Sequence, residues 1–117
     1  RISFELGSLP APQAFDLVVA NLPYVRDRDW HSLEPELTRF EPREALLGGE
    51  DGLDPIRGLL SALAPAGVDE LLASAVALEV GEGQAGDVSA LVGGAGFPHV
   101  ETRTDLAGIE RVVVGRR

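Results

Sequence analysis

"FDLVVANLPYV", Phe15 to Val25, is the stretch on which the fold turns. Its first half, Asp16 to Ala20, is a near-continuous apolar run with two valines. Such a run suits a strand covered on both faces, as in a parallel sheet, rather than one with a wet side. The run then stops at Asn21, Leu22, Pro23 and Tyr24. In open α/β sheets the ligand crevice lies beyond the carboxyl ends of the strands. A strand that ends in an amide, a proline and a phenol therefore puts polar, planar chemistry where a site is expected.

Working outward, residues 2–6, "ISFEL", alternate apolar and polar and read as a short strand. "GSLPAPQA" after them is turn-rich. From Asn21 to Asp54 the chain is polar, carries Pro23, Pro35 and Pro42, and is too long for an ordinary connection; loops of that length are usually functional or disordered. In "DGLDPIRGLLSAL" Asp54 is placed to cap a helix and Pro55 to occupy its first position, where no N–H is needed. Ile56, Leu59, Leu60 and Leu63 then form one apolar stripe. "APAG" interrupts the helix and "VDELLASA" reads as a further helical turn or two. "AVALEVG", Ala75 to Gly81, is a second buried strand. "AGDVSALVGGAGF" is a helix ended by glycine, with Val88, Leu91 and Val92 inward. "HVETRTDL" and "ERVVVGRR" are two closing strands, antiparallel because their join is short. Strands separated by helices predict an α/β fold with a mostly parallel sheet and one antiparallel strand near the C-terminus.

The 117 residues suffice for one domain, able to bury roughly two-thirds of its unfolded surface. Cysteine is absent, which excludes disulfides and thiolate-bound metals and fits a cytoplasmic home. No apolar run approaches the about 18 residues of a membrane span, and the opening residues do not form a signal peptide. Methionine is missing throughout, which suggests a piece of a longer protein. The net charge of −9 argues against direct nucleic-acid binding and for a neutral or basic protein partner. There is no Gly-x-Gly-x-x-Gly after a strand and no phosphate loop. "GGEDG" and "GEGQAG" are glycine-rich turns, but the acidic residues inside them disfavour a bound phosphate.

"FDLVVANLPYV" resembles the strand and Asn-Pro-Pro-Tyr motif of S-adenosylmethionine-dependent methyltransferases that modify planar amino groups. "LEPELTRFEPREALLGGEDGLDPIRGLL" is similar to the segment that follows this motif in the release factor glutamine methyltransferases. "ALEVGEGQ" looks like their next strand and turn, and "TDLAGIERVVVGRR" like their C-terminus. The resemblance implies a partial Rossmann-like methyltransferase sheet, with residues 1–117 the C-terminal part of a catalytic domain whose glycine-rich cofactor half and N-terminal domain are absent. It implies N5-methylation, in the intact protein, of the glutamine in a release factor's Gly-Gly-Gln loop, with this piece inactive alone.

By the same resemblance, the Asn21 side-chain oxygen and the Leu22 main-chain carbonyl accept the two amide hydrogens of the substrate, and Tyr24 stacks on its plane. Asn21, Leu22, Pro23 and Tyr24 are thus the expected catalytic and substrate-binding residues. Asn21, Ser8 and Leu9 are the expected edge of the S-adenosylmethionine pocket. A carboxamide has two N–H donors, both needing acceptors when buried, and positioning for in-line displacement then supplies the rate without a metal. Leu22 departs from the family's proline; the carbonyl survives the change, at about 0.4–1 kcal/mol of added chain entropy. Asn-Leu-Pro-Tyr also occurs in ribosomal-RNA adenine dimethyltransferases, so an adenine-N6 methyltransferase is one alternative and a non-catalytic α/β interaction module another. Without the missing strands, Asp16–Ala20 would be an unpaired edge; residues 2–6 are expected to pair beside it or with a second copy in a strand-swapped association.

Other polar residues read blandly. Trp30 and His31 are a packed aromatic and a solvated imidazole. Glu34, Glu36, Glu41 and Glu44 form a solvated face or pair with Arg39 and Arg43.

Overall fold

The structure, a computed structural model, describes residues 2–7, 9, 13–32, 47–66 and 70–117. Its elements run β1 (Phe15–Ala20), a 3-10 helix (Asp27–Ser32), α1 (Asp54–Leu63), β2 (Ala73–Glu79), α2 (Ala85–Ala95), β3 (His99–Thr104) and β4 (Glu110–Arg116). The sheet order is β1-β2-β4-β3. β1 and β2 are parallel, and β4 is antiparallel to both β2 and β3. Three strands therefore share one direction and only β4 opposes them, which is the expected α/β arrangement.

The apolar stripe of α1 does what its spacing predicts. Ile56, Leu59, Leu60 and Leu63 are all buried. They share one core with Val76, Leu78 and Val80 around β2, Val88 and Val92 of α2, Phe97, and Val113 of β4. Leu91 is half-buried against the same core. α2 stops at Gly96, whose φ of +117° is left-handed. The β3–β4 turn is closed by Asp105, whose Oδ1 accepts the N–H groups of Ala107 (2.8 Å) and Ile109 (3.0 Å). Those bonds, that from Ile109 foremost, and the Arg111 guanidinium hold the Asp105 carboxyl below its ordinary pKa.

Four expectations need correction. Residues 2–6 form no strand; Ile2, Phe4 and Leu6 are exposed, because among the described residues no edge is paired with them. Alternation is a local pattern, whereas a strand exists only with a neighbour. β2 begins at Ala73, two residues before the expected start, and residues 70–72 are not helical; residues 67–69 lie outside the described set. Asp54 is the first helical residue rather than the cap. Leu53 holds the cap position without a side-chain cap bond, and Asp51 Oδ1 takes the Leu53 N–H at 3.0 Å. Finally, the loop expected from Asn21 to Asp54 contains a 3-10 helix and a parallel bridge between Val25 and Leu47.

The two faces of the sheet differ. Val18, Val76, Gly115 and Val100 lie in register on the face that meets the helices. On the other face Val19, Ala77, Val114 and Glu101 align, and Val19 is 72% exposed. Among the described residues β1 has β2 as its single neighbour, so its outer edge is open.

Candidate functional site at the carboxyl ends of β1 and β2

Parallel pairing with Ala20 opposite Leu78 brings the carboxyl ends of β1 and β2 side by side. Asn21 to Tyr24 leave one end, and Val80 to Gln84 leave the other. Asn21 is exposed and its side chain makes no hydrogen bond among the described residues. Leu22 is half-buried against the hydrophobic core. A leucine at this position thus anchors the loop by packing, where proline would restrict it by ring closure. Pro23 and Tyr24 are half-buried.

The segment after Leu47 folds back on this loop. Gly48 N–H donates to the Val25 carbonyl at 2.8 Å, and Asp27 N–H donates to the Gly49 carbonyl at 2.9 Å. Gly52, at φ +82°, comes so close that a Cβ there would collide with the Tyr24 carbonyl oxygen. On the other side a Cβ at Gly81 would lie 2.7 Å from Cδ2 of the Tyr24 ring. Tyr24 is therefore held between two glycines from separate turns, and one edge of its ring rests on the Gly81 backbone.

Gln84 joins the three segments. Its Oε1 accepts the Gly81 N–H at 2.8 Å, and its Nε2 donates to the Tyr24 carbonyl at 3.0 Å. Exchanging the amide's oxygen and nitrogen would set donor against donor and acceptor against acceptor, so the partners fix the orientation. Sequence reasoning missed Gln84. Its signal was an amide directly after a Gly-Glu-Gly turn at a strand's carboxyl end.

An open cleft of about 960 Å³ lies alongside, lined by Tyr24, Val25, Arg26, the 50–51 turn, Arg57 and Gly81 to Gln84 among others. Its acidic residues outnumber its arginines, and two of those arginines are paired. Arg26 Nε meets Asp29 at 2.6 Å. Arg57 binds Asp51 through both terminal guanidinium nitrogens and Asp54 at 3.2 Å. The hydrogen bond from Arg57, and after it that from the Leu53 N–H, lowers the Asp51 pKa to about 2. This charge balance suits a cationic or neutral ligand and opposes a phosphate.

The residues expected at the site are only partly brought together. Tyr24 lines the cleft; Asn21, Leu22 and Pro23 do not. Leu9 is 48% exposed and is not among the cleft residues. Ser8, the glutamates at 34, 36, 41 and 44, and Arg39 and Arg43 lie outside the described residues, as does the side chain of His31. Trp30 is half-buried. No three His, Asp or Glu residues among those described are grouped to hold a metal ion.

No protein-family model matches the chain. Individual proteins do. It is 45% identical over 123 residues to the release factor glutamine methyltransferase of Rhodospirillum rubrum, covering 100% of this chain and 36% of that protein. It is 40% identical to the release factor glutamine methyltransferase of Bacillus anthracis and 41% to that of Geobacter sulfurreducens, in each case across 41% of the relative. The chain thus spans well under half the length of the curated relatives it matches. The resemblance read from the motif and its downstream blocks holds along the entire chain.

Proposed function

We infer that a chain similar from end to end to release factor glutamine methyltransferases is the C-terminal part of such an enzyme's catalytic domain. The intact protein then methylates N5 of the glutamine in the Gly-Gly-Gln loop of a peptide-chain release factor, in the cytoplasm. The observation that carries this reading is the similarity across the full chain to proteins of that name. The placement of Asn21–Tyr24 at the carboxyl end of β1, next to that of a parallel strand, is compatible with it.

A carboxamide nitrogen is a weak nucleophile because its lone pair is delocalised into the carbonyl. The chain's part is to hold that nitrogen in position. The exposed Asn21 oxygen takes one amide hydrogen, the Leu22 carbonyl takes the other, and the Tyr24 ring covers the plane. S-adenosylmethionine, when bound, supplies the electrophilic methyl group. The described residues offer only an edge to that cofactor: Asn21, whose exposed amide has no hydrogen-bond partner among them. The glutamine nitrogen would gain the methyl group, the sulfur keeping the electron pair of the broken carbon–sulfur bond and leaving as a neutral thioether, and would give up one proton to solvent.

The test is transfer of labelled methyl from S-adenosylmethionine by the intact protein. Label is expected on the release factor, absent when the loop glutamine is replaced, and absent from RNA. Asn21→Ala lowers the rate about a hundredfold or more, the scale of a lost positioning contact. Label on RNA adenine instead would establish the adenine-directed reading. Failure of the intact protein to bind the cofactor would leave the non-catalytic one.

A further inference from the structure

We propose that Gln84 is a positioning residue for the Asn21–Tyr24 loop, locking the Tyr24 main chain, and with it the ring, to the turn after β2. This rests on the methyltransferase reading and extends it to a residue outside the motif.

Two bonds make the lock. The Gly81 N–H is a donor in the tight turn after β2, and Gln84 Oε1 accepts it at 2.8 Å. That bond fixes the plane of the Gln84 amide, so its nitrogen points at one place, the Tyr24 carbonyl 60 residues earlier in the chain. The second N–H faces the Asp51 carbonyl at 3.5 Å, a long and weak contact. Gly81 and Gly52 permit the approach: a Cβ at Gly52 would lie 2.8 Å from Gln84 Nε2, and one at Gly81 would lie 2.8 Å from Gln84 Oε1. The bond to Gly81 alone would be a turn closure. The bond to Tyr24 is what couples the turn to the loop.

Glutamate at this position separates the two functions. It keeps an acceptor for the Gly81 N–H but turns the other oxygen toward the Tyr24 carbonyl. Ionised, that oxygen repels the carbonyl; protonated, it donates as the amide does. The wild-type side chain does not titrate. Asp51 turns its main-chain carbonyl to Gln84, while Glu82 and Asp87 line the same cleft. Arg26, Arg28 and Arg57 line the cleft too, the first paired with Asp29 and the last with Asp51, so it is the facing Tyr24 and Asp51 carbonyls that raise the pKa of a carboxyl placed there, against the lowering by the Gly81 N–H.

The experiment compares the intact wild-type protein with Gln84→Ala and Gln84→Glu, using release factor as substrate from pH 5 to 8. Gln84→Ala is expected to lower kcat about tenfold while KM for S-adenosylmethionine moves less than about threefold, as for loss of one hydrogen bond that positions a reacting group. Gln84→Glu is expected to be as slow at pH 8 and to regain rate relative to wild type as pH falls. A glutamate variant equal to wild type at pH 8, or equally impaired at every pH, overturns the proposal. Hydrogen exchange is read in parallel. Slow exchange of the Gln84 side-chain amide in the wild-type protein supports the lock, and free exchange overturns it. That readout holds even if the wild-type protein leaves release factor unmodified, in which case the functional reading fails separately.

Discussion

Tyr24 shows how much a single side chain owes to residues far from it in sequence. Its ring rests on Gly81, whose backbone is not in the left-handed region, so alanine there meets no conformational barrier of its own. Gly81→Ala therefore reports steric contact alone, with the Tyr24 ring and with Gln84 Oε1, which the new Cβ would approach to 2.8 Å. The new Cβ would sit 2.7 Å from the ring, and overpacking of this kind costs about 1–3 kcal/mol. The expected outcome in the intact protein is a lower Tm and a kcat loss larger than the stability loss predicts, because Tyr24 must turn away. A normal kcat with a lowered Tm would mean that the ring's orientation does not matter to turnover. The motif itself was legible, since Asn21 to Tyr24 are adjacent and end an apolar run. Gly81, Gly52 and Gln84 were not: locally they spell only turns, and their meaning arises from contacts across tens of residues.

At the level of the element, α1 was the most legible part of the chain, because its stripe and its proline are local signals. Its beginning was misread for a physical reason. Asp54 carries the right chemistry for a cap, but it is already helical and its carboxylate faces Arg57. Asp51 instead bridges the Leu53 N–H and the Arg57 guanidinium. The folded pKa of Asp51, about 2, lies below its unfolded value of about 3.9. A depressed carboxyl contributes stability above the unfolded value and loses it as pH falls toward the folded one. The Asp51–Arg57 tie should thus be fully present above about pH 4 and fade between about 4 and 2. Asp51→Asn keeps an acceptor for Leu53 but loses the charge. In denaturation of the intact protein, wild type should exceed this variant at pH 7, with the difference shrinking across that window. A difference that stays constant down to pH 2.5 would show that Arg57 does not hold Asp51 in solution.

For the whole molecule, the decisive feature is a sheet finished, among the described residues, on one side only. Helices cover one face, while Leu17 and Val19 of β1 are 54% and 72% exposed on the other. β1 also has an open edge among the described residues, and Ile2, Phe4 and Leu6 lie exposed. An apolar open edge is a template for pairing with another chain. The 117-residue chain by itself is accordingly expected to self-associate at tens of micromolar, despite the repulsion of its −9 charge. Val19→Lys should shift it toward monomer in sedimentation, since an edge lysine blocks pairing. A wild-type chain that sediments as a pure monomer would contradict this. The open edge was foreseeable from "DLVVA", but the cover that the run predicts on both faces is missing at Leu17 and Val19; nor was the failure of residues 2–6 to pair there foreseeable, because alternation describes a strand without naming its neighbour.

The strand order has a temporal consequence. β4 lies between β2 and β3, although β3 precedes it in the chain. During synthesis β3 leaves the ribosome before its seat exists, and it must wait until Glu110–Arg116 inserts beside β2. A frameshift or stop codon just before Glu110 would therefore strand an already translated ribbon as well as delete its partner.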